Sequence, residues 1–193
     1  MILVTDGDHV AQETVEDVAK ALNLRCISAS AGNPTPISGQ EIVRLIKKAS
    51  HDPVLVMFDD RGRRGKGKGE TAMEYVATHP DIEVLGAIAV ASQTMGAKPT
   101  EVDASVAKNG QVVDMGVDKY GAVINTQRTP LVIGDTAEVL NSLNVPVVIG
   151  IGDIGKMDKA DALYKGSPIT KRAIEEILMR NGVHSGVHDG RTE

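Results

Sequence analysis

Ile2-Leu-Val-Thr-Asp-Gly-Asp8 and Pro53-Val-Leu-Val-Met-Phe-Asp-Asp60 decide how this chain folds. Each opens as an unbroken aliphatic run too short for a helix and stops at acidic residues. A strand buried on both faces has this look, and such strands belong to parallel sheets covered by helices. Between the two runs the pattern changes. Val10 to Leu22 carries apolar residues at helical spacing, and Arg25 to Ser28 reads as a second strand. Gly32-Asn-Pro-Thr-Pro36 is a loop, and Ser38 or Gly39 opens a helix running to about Ala49. Working outward, Glu70 to Thr78 is helical, Pro80 ends that unit, and Ile82 to Ala91 is a fourth, doubly apolar strand. Strand and helix alternate four times. Short connections and right-handed crossovers then predict an α/β fold, a three-layer doubly wound and mostly parallel sheet of Rossmann-like or Toprim-like type.

The second half departs from that rhythm. Asn109-Gly110 is the signature of a tight hairpin, so an inserted β-hairpin is expected over about residues 102–124, beside the main sheet. Alternation then resumes with a short helix over Thr136 to Leu143 and a strand over Val145 to Ile149. Pro146 stands at the start of that strand, where a missing donor is tolerated. Gly150 to Gly155 reads as a glycine-rich turn. Ser167 is predicted to cap the last helix, with Pro168 in its first turn and Asn181-Gly182 as its stop. Residues 1–182 read as one α/β domain. Residues 183–193 are polar and glycine-containing, and a disordered tail is expected there.

Composition narrows the function classes. Apolar residues make up 41 % of the 193, enough for a core, and that core must be aliphatic because there is no Trp, one Phe and three Tyr. So few rings argue against base-stacking nucleic-acid modules. A net charge of -5 gives no general affinity for polyanions. No apolar stretch approaches the roughly 20 residues of a membrane span, and no basic leader precedes the first strand, so neither a span nor a signal peptide is expected. The single cysteine, Cys26, forms no intramolecular disulfide and fits a reducing compartment.

Ligands of open parallel sheets lie at the carboxyl ends of the strands. Acids stand at three such ends: Asp6 and Asp8, Asp59 and Asp60, and Asp153. Gathered carboxylates repel, and a hard cation such as magnesium would relieve them, which makes these five the candidate metal ligands. The bland alternative is that each Asp caps the helix that follows it. The loop Arg61-Gly-Arg-Arg-Gly-Lys-Gly-Lys-Gly69 offers Arg61, Arg63, Arg64, Lys66 and Lys68 as candidate anion- or partner-binding residues. Glycines there let backbone donors approach an anion, and a helix follows. The alternative is a solvated connection. The loop is not a Walker motif, because Gly-Lys is not followed by Ser or Thr. Gly150-Ile-Gly-Asp-Ile-Gly155 has the bare spacing of a dinucleotide fingerprint but begins within a strand end. His9, His51, His79, His184 and His188 read as surface or loop residues, and no catalytic residue is singled out.

Taken together, several segments carry a resemblance: Val4-Thr-Asp-Gly-Asp8, Gly32-Asn-Pro-Thr35, Phe58-Asp-Asp60, His79-Pro-Asp-Ile-Glu-Val-Leu-Gly86, Gly116-Val-Asp-Lys-Tyr-Gly121, Gly150-Ile-Gly-Asp-Ile-Gly-Lys-Met157 and Lys165-Gly-Ser-Pro-Ile-Thr170. Over roughly residues 1 to 180 the chain resembles the soluble form of stage V sporulation protein AE of spore-forming Bacilli. The resemblance implies a forespore or spore protein, soluble or peripherally attached to the spore inner membrane. It further implies partnership with other stage V sporulation proteins and a part in dipicolinic acid uptake or germination. It supplies no catalytic residues.

Two local likenesses stand beside it. Val4-Thr-Asp6-Gly7 with Phe58-Asp-Asp-Arg-Gly-Arg-Arg-Gly65 looks like a degenerate Toprim core, with Asp6 where Glu is usual and Gly62 where a second Asp is expected. That likeness implies magnesium-dependent phosphotransfer or nuclease-like chemistry as the alternative function. A receiver-domain comparison would group Asp6, Asp8 and Asp59 or Asp60 with Ser92 or Thr94 and with Lys156.

Overall fold

The computed structural model describes residues 1–60, 67–92, 96–124 and 129–183. The quoted runs become β1 (Ile2–Val4) and β3 (Val54–Met57), which lie side by side and parallel, with Leu3 opposite Val56. β2 (Arg25–Cys26) flanks β3, and β4 (Gly86–Val90) flanks β1 on its other side. Beyond β4 come β11 (Val148–Ile151), β6 (Ala104–Val106) and β7 (Val112–Val113), giving the order β2-β3-β1-β4-β11-β6-β7. Every pairing in this sheet is parallel except β6 with β7.

Helices cover both faces, because alternate residues of each strand point opposite ways and all are apolar. Ile2 and Val4 of β1 pack with α1 (His9–Ala21) and α4 (Pro168–Arg180). Leu3 between them packs with α2 (Gly39–Lys47), α3 (Lys68–Ala77) and the 3-10 segment Thr136–Ser142. Both cores are aliphatic, and Phe58 is the sole phenylalanine in them. Val56 and Ile88 are fully buried, as two-sided strands require. Trimming Ile88 to Val should therefore lower the free energy of unfolding by about 0.5–1.5 kcal/mol. An unchanged urea midpoint would contradict its place in the core.

Several expectations are corrected in detail. The fourth strand begins at Gly86 and not at Ile82, because the ladder with β1 opens at Ile2 opposite Gly86. The strand expected over 145–149 lies at 148–151; Pro146 cannot donate, and the ladder with β4 starts at Val148. Gly150 is thus a strand residue and not part of a turn. A Cβ there would sit 2.6 Å from Ser105 Oγ and from Val132 Cγ2, so packing between strands accounts for it and no dinucleotide loop is needed. The Asn109-Gly110 hairpin forms, and it is built onto the main sheet, since β6 pairs with β11 while β7 turns back on β6. The rest of the excursion adds two small ribbons. β8 (Gly116–Val117) pairs with β9 (Val123–Ile124), and β5 (Pro99–Glu101) pairs with β10 (Leu131–Ile133). The β5–β10 ribbon links segments thirty residues apart, which no local pattern announces.

Ser167 also departs from expectation. It precedes α4, but its backbone is left-handed at φ 47° and its side chain caps nothing. Asp161 takes over that task from seven residues upstream of Pro168. Its carboxylate accepts from the Ile169 amide at 2.7 Å, the Thr170 amide at 3.0 Å and the Thr170 hydroxyl at 2.5 Å.

Candidate functional site: the carboxylate crevice

Neighbouring strands β1 and β3 send their chains to opposite faces of the sheet, β1 into α1 and β3 into α3. A crevice opens at such a reversal, outside the carboxyl ends of the strands. Asp6 and Asp8 leave β1 into it, Asp59 and Asp60 leave β3, and Asp153 leaves β11.

The crevice is held together by close backbone contact. The Gly32 amide donates to the Gly7 carbonyl at 2.7 Å, tying the loop after β2 to the loop after β1. A Cβ on Gly7 would meet the Gly32 carbonyl at 3.2 Å and Asp59 Cβ at 3.3 Å. Thr35, buried, clasps Asp59 from both sides. Its amide donates to the Asp59 carbonyl at 2.8 Å, and its hydroxyl oxygen accepts from the Asp59 amide at 3.0 Å. Gly69 lets α3 press against β3, since a Cβ there would lie 2.3 Å from the Asp59 carbonyl oxygen. The motifs Asp6-Gly-Asp8, Gly32-Asn-Pro-Thr35 and Phe58-Asp-Asp60 are therefore one structural unit.

The five candidate acids separate into different tasks. Asp8 caps α1, accepting from the Ala11 amide at 2.9 Å. Asp60 caps α3, accepting from the Gly69 amide at 2.8 Å and the Glu70 amide at 2.5 Å. For these two the capping alternative holds. Asp153 receives the Lys156 ammonium at 2.6 Å. Asp6 has no cation of its own. Burial pushes its carboxyl well above the ordinary carboxylate range, and the charges of Asp8, Asp59 and Asp153 push it further. Burial also raises Asp153, with Lys156 opposing. Lys156 is in turn raised by its bond to Asp153 and by the fields of Asp6 and Asp8. The crevice thus presents a strained carboxyl, a cluster of like charges and one ammonium.

Magnesium would need several of these carboxylates converging on one point. Among the described residues, no three His, Cys, Asp or Glu side chains stand close enough to hold a metal ion. Two of the five acids are instead spent on helix amides.

Of the cationic loop, Arg61, Arg63, Arg64 and Lys66 lie outside the described residues, as do Thr94 and the tail from residue 184. Lys68 is exposed as the first residue of α3. The amino end of α3 that was to face an anion already has two donors engaged by Asp60. Ser92, at the end of β4, donates its hydroxyl to Asp135 at 3.0 Å. Gly7, Thr35 and Lys119 escaped the sequence reading. Lys119 sits beside Asp153, whose amide donates to the Lys119 carbonyl at 2.9 Å, and its ammonium lies 4.8 Å from the centre of the Tyr120 ring. Cys26 is inert, its thiol pushed up to about 12 mainly by burial.

A family model described as stage V sporulation protein AE1 matches residues 1–181. The chain belongs to this family. No curated protein and no solved structure matches the chain. The stage V sporulation protein AE1 match runs through every segment of the crevice, from β1 to the end of α4. It establishes a sporulation protein, with an α/β fold of mostly parallel sheet.

Proposed function

We propose that this sporulation protein is a non-enzymatic accessory component, acting with spore inner-membrane proteins in dipicolinic acid uptake or in germination. The observation that carries the proposal is the family match over residues 1–181. Two structural features support it. No helix among the described residues is long and apolar enough to cross a membrane, so the described part would work from one side, against membrane partners or the bilayer surface. The crevice offers carboxylates at Asp6 and Asp153 with an ammonium at Lys156, a mixture that suits recognition of a charged ligand or partner. Full chain bearing an affinity tag, captured from gently solubilised forespore membranes, should bring down other stage V sporulation proteins. Recovery of the chain alone would overturn the proposal.

The cationic loop belongs to the same reading. Arg63, Arg64, Lys66 and Lys68 replaced together by Ser should leave thermal stability nearly unchanged, since exposed charges contribute little to it. Binding to anionic vesicles or to dipicolinate should weaken, most visibly at low salt. Equal binding by variant and parent in both assays would reduce the loop to a connection.

The second reading, magnesium-dependent phosphotransfer or nuclease-like chemistry on a degenerate Toprim core, is favoured by the raised carboxyl of Asp6 alone. The described carboxylates do not form the ion site it requires. Magnesium-dependent cleavage of a phosphate ester by the purified chain, lost in Asp6→Asn, would promote it over the first.

A further inference from the structure

At the other end of the sheet from the crevice, the β5–β10 ribbon and the 3-10 segment Thr136–Ser142 enclose an open groove of about 840 Å³. Asp103 marks its position: its carboxylate accepts from the Val148 amide at 2.7 Å, where β11 begins. The ribbon turns Thr100 and Val132 inward, where both are buried. Its outer face carries Pro99, Glu101, Leu131 and Ile133, by strand alternation. Leu131 lines the groove with Leu143 and Val145, all three only half-buried. Ile133 continues this apolar face outside the groove and is 45 % exposed.

The charge along this surface has one sign. Glu101 and Asp103 line the groove and are exposed, and no Lys or Arg lines it. The nearest cation at the ribbon's end, Lys98, is directed to Glu138 at 3.8 Å. Apolar floor, acidic rim and a size within the range of ligand-binding clefts specify the complement: apolar side chains flanked by positive charge. An open-ended groove beside a two-stranded ribbon suits a chain segment better than a compact molecule, because a segment can cover Ile133 as well.

We propose that this groove and the outer face of the β5–β10 ribbon dock a basic, apolar peptide segment of a protein partner. The site is separate from the carboxylate crevice, so its failure would leave the dipicolinate reading standing, and the converse holds too.

The test uses the full chain, isotope-labelled, titrated with a synthetic probe of sequence Lys-Leu-Val-Lys-Leu-Arg and with its charge-reversed counterpart Glu-Leu-Val-Glu-Leu-Glu. The basic probe should shift amides in residues 99–103, 129–133 and 140–148, and binding should weaken as salt is raised. Glu101→Lys and Ile133→Asp, both at exposed positions, should keep the parent's circular dichroism and melting temperature. Each should weaken the basic probe at least fivefold. Equal binding of the acidic probe, shifts confined to other regions, no binding at millimolar probe, or an unchanged affinity in both folded variants would overturn the proposal. So would concentration-dependent dimerisation through the same amides, which would make a second copy the occupant.

Discussion

Replacing Asp161 with Ala is expected to lower the free energy of unfolding by about 3–4 kcal/mol, a large share of a domain's stability. Three donors converge on this one buried carboxylate: the Ile169 amide, the Thr170 amide and the Thr170 hydroxyl. Each buried donor left without an acceptor costs roughly 1–3 kcal/mol, and water can recover only part of that. Ser167 cannot take over, because its left-handed backbone holds its side chain away from the α4 amides. α4 in turn packs Ile174, Ile177 and Leu178 into the core under β4 and β11. Loosening its first turn therefore reaches the centre of the sheet. Asp161→Asn should be milder, since its amide oxygen can still accept from the helix. A urea midpoint for Asp161→Ala within error of the parent would refute this capping.

The change at Asp6 should run in the opposite direction. Asp6→Asn is expected to stabilise the protein at neutral pH, by an amount on the order of 0.5–2 kcal/mol, the range seen when an unfavourable charge is relieved. Burial first, and then Asp8, Asp59 and Asp153, hold the folded carboxyl's pKa above its unfolded value. Between those two pKa values the folded state binds more protons than the unfolded state. Stability from this group is therefore full at acid pH and is lost as pH rises through the folded pKa. Asn carries no charge to be penalised, so the gain should appear at neutral pH and vanish near pH 3. A lower melting temperature for Asp6→Asn at pH 7 would show that the crevice stores no electrostatic strain.

The strand–helix alternation was legible because buried parallel strands write themselves as unbroken aliphatic runs, as Ile2 to Val4 and Val54 to Met57 do. The gathering of acids at one end followed from that topology, since parallel strands share one carboxyl end. Which acid does what was not legible. Asp60 and Asp8 are helix caps and Asp6 is not, and the difference rests on which amides lie within reach. Asp161 could not be picked out either, because a cap normally sits next to its helix and this one is supplied by a loop. Gly7, Gly32 and Gly69 appeared as ordinary punctuation, whereas the fold uses Gly7 and Gly69 for close approach around Asp59. The β5–β10 ribbon pairs short, distant segments whose partners only tertiary structure selects.

Asp6 joins these threads. A carboxyl that lowers stability at neutral pH, in a crevice tied by Thr35 and Gly7, has the character of a residue kept for function. The replacement that removes it is the one expected to leave the fold intact or firmer. Dipicolinate content and its release on germination should therefore be measured in spores whose only copy of the chain carries Asp6→Asn. The account predicts normal levels of a stable variant protein with reduced dipicolinate accumulation or slowed release. Spores indistinguishable from the parent in both quantities, with the variant present at parental level, would contradict it.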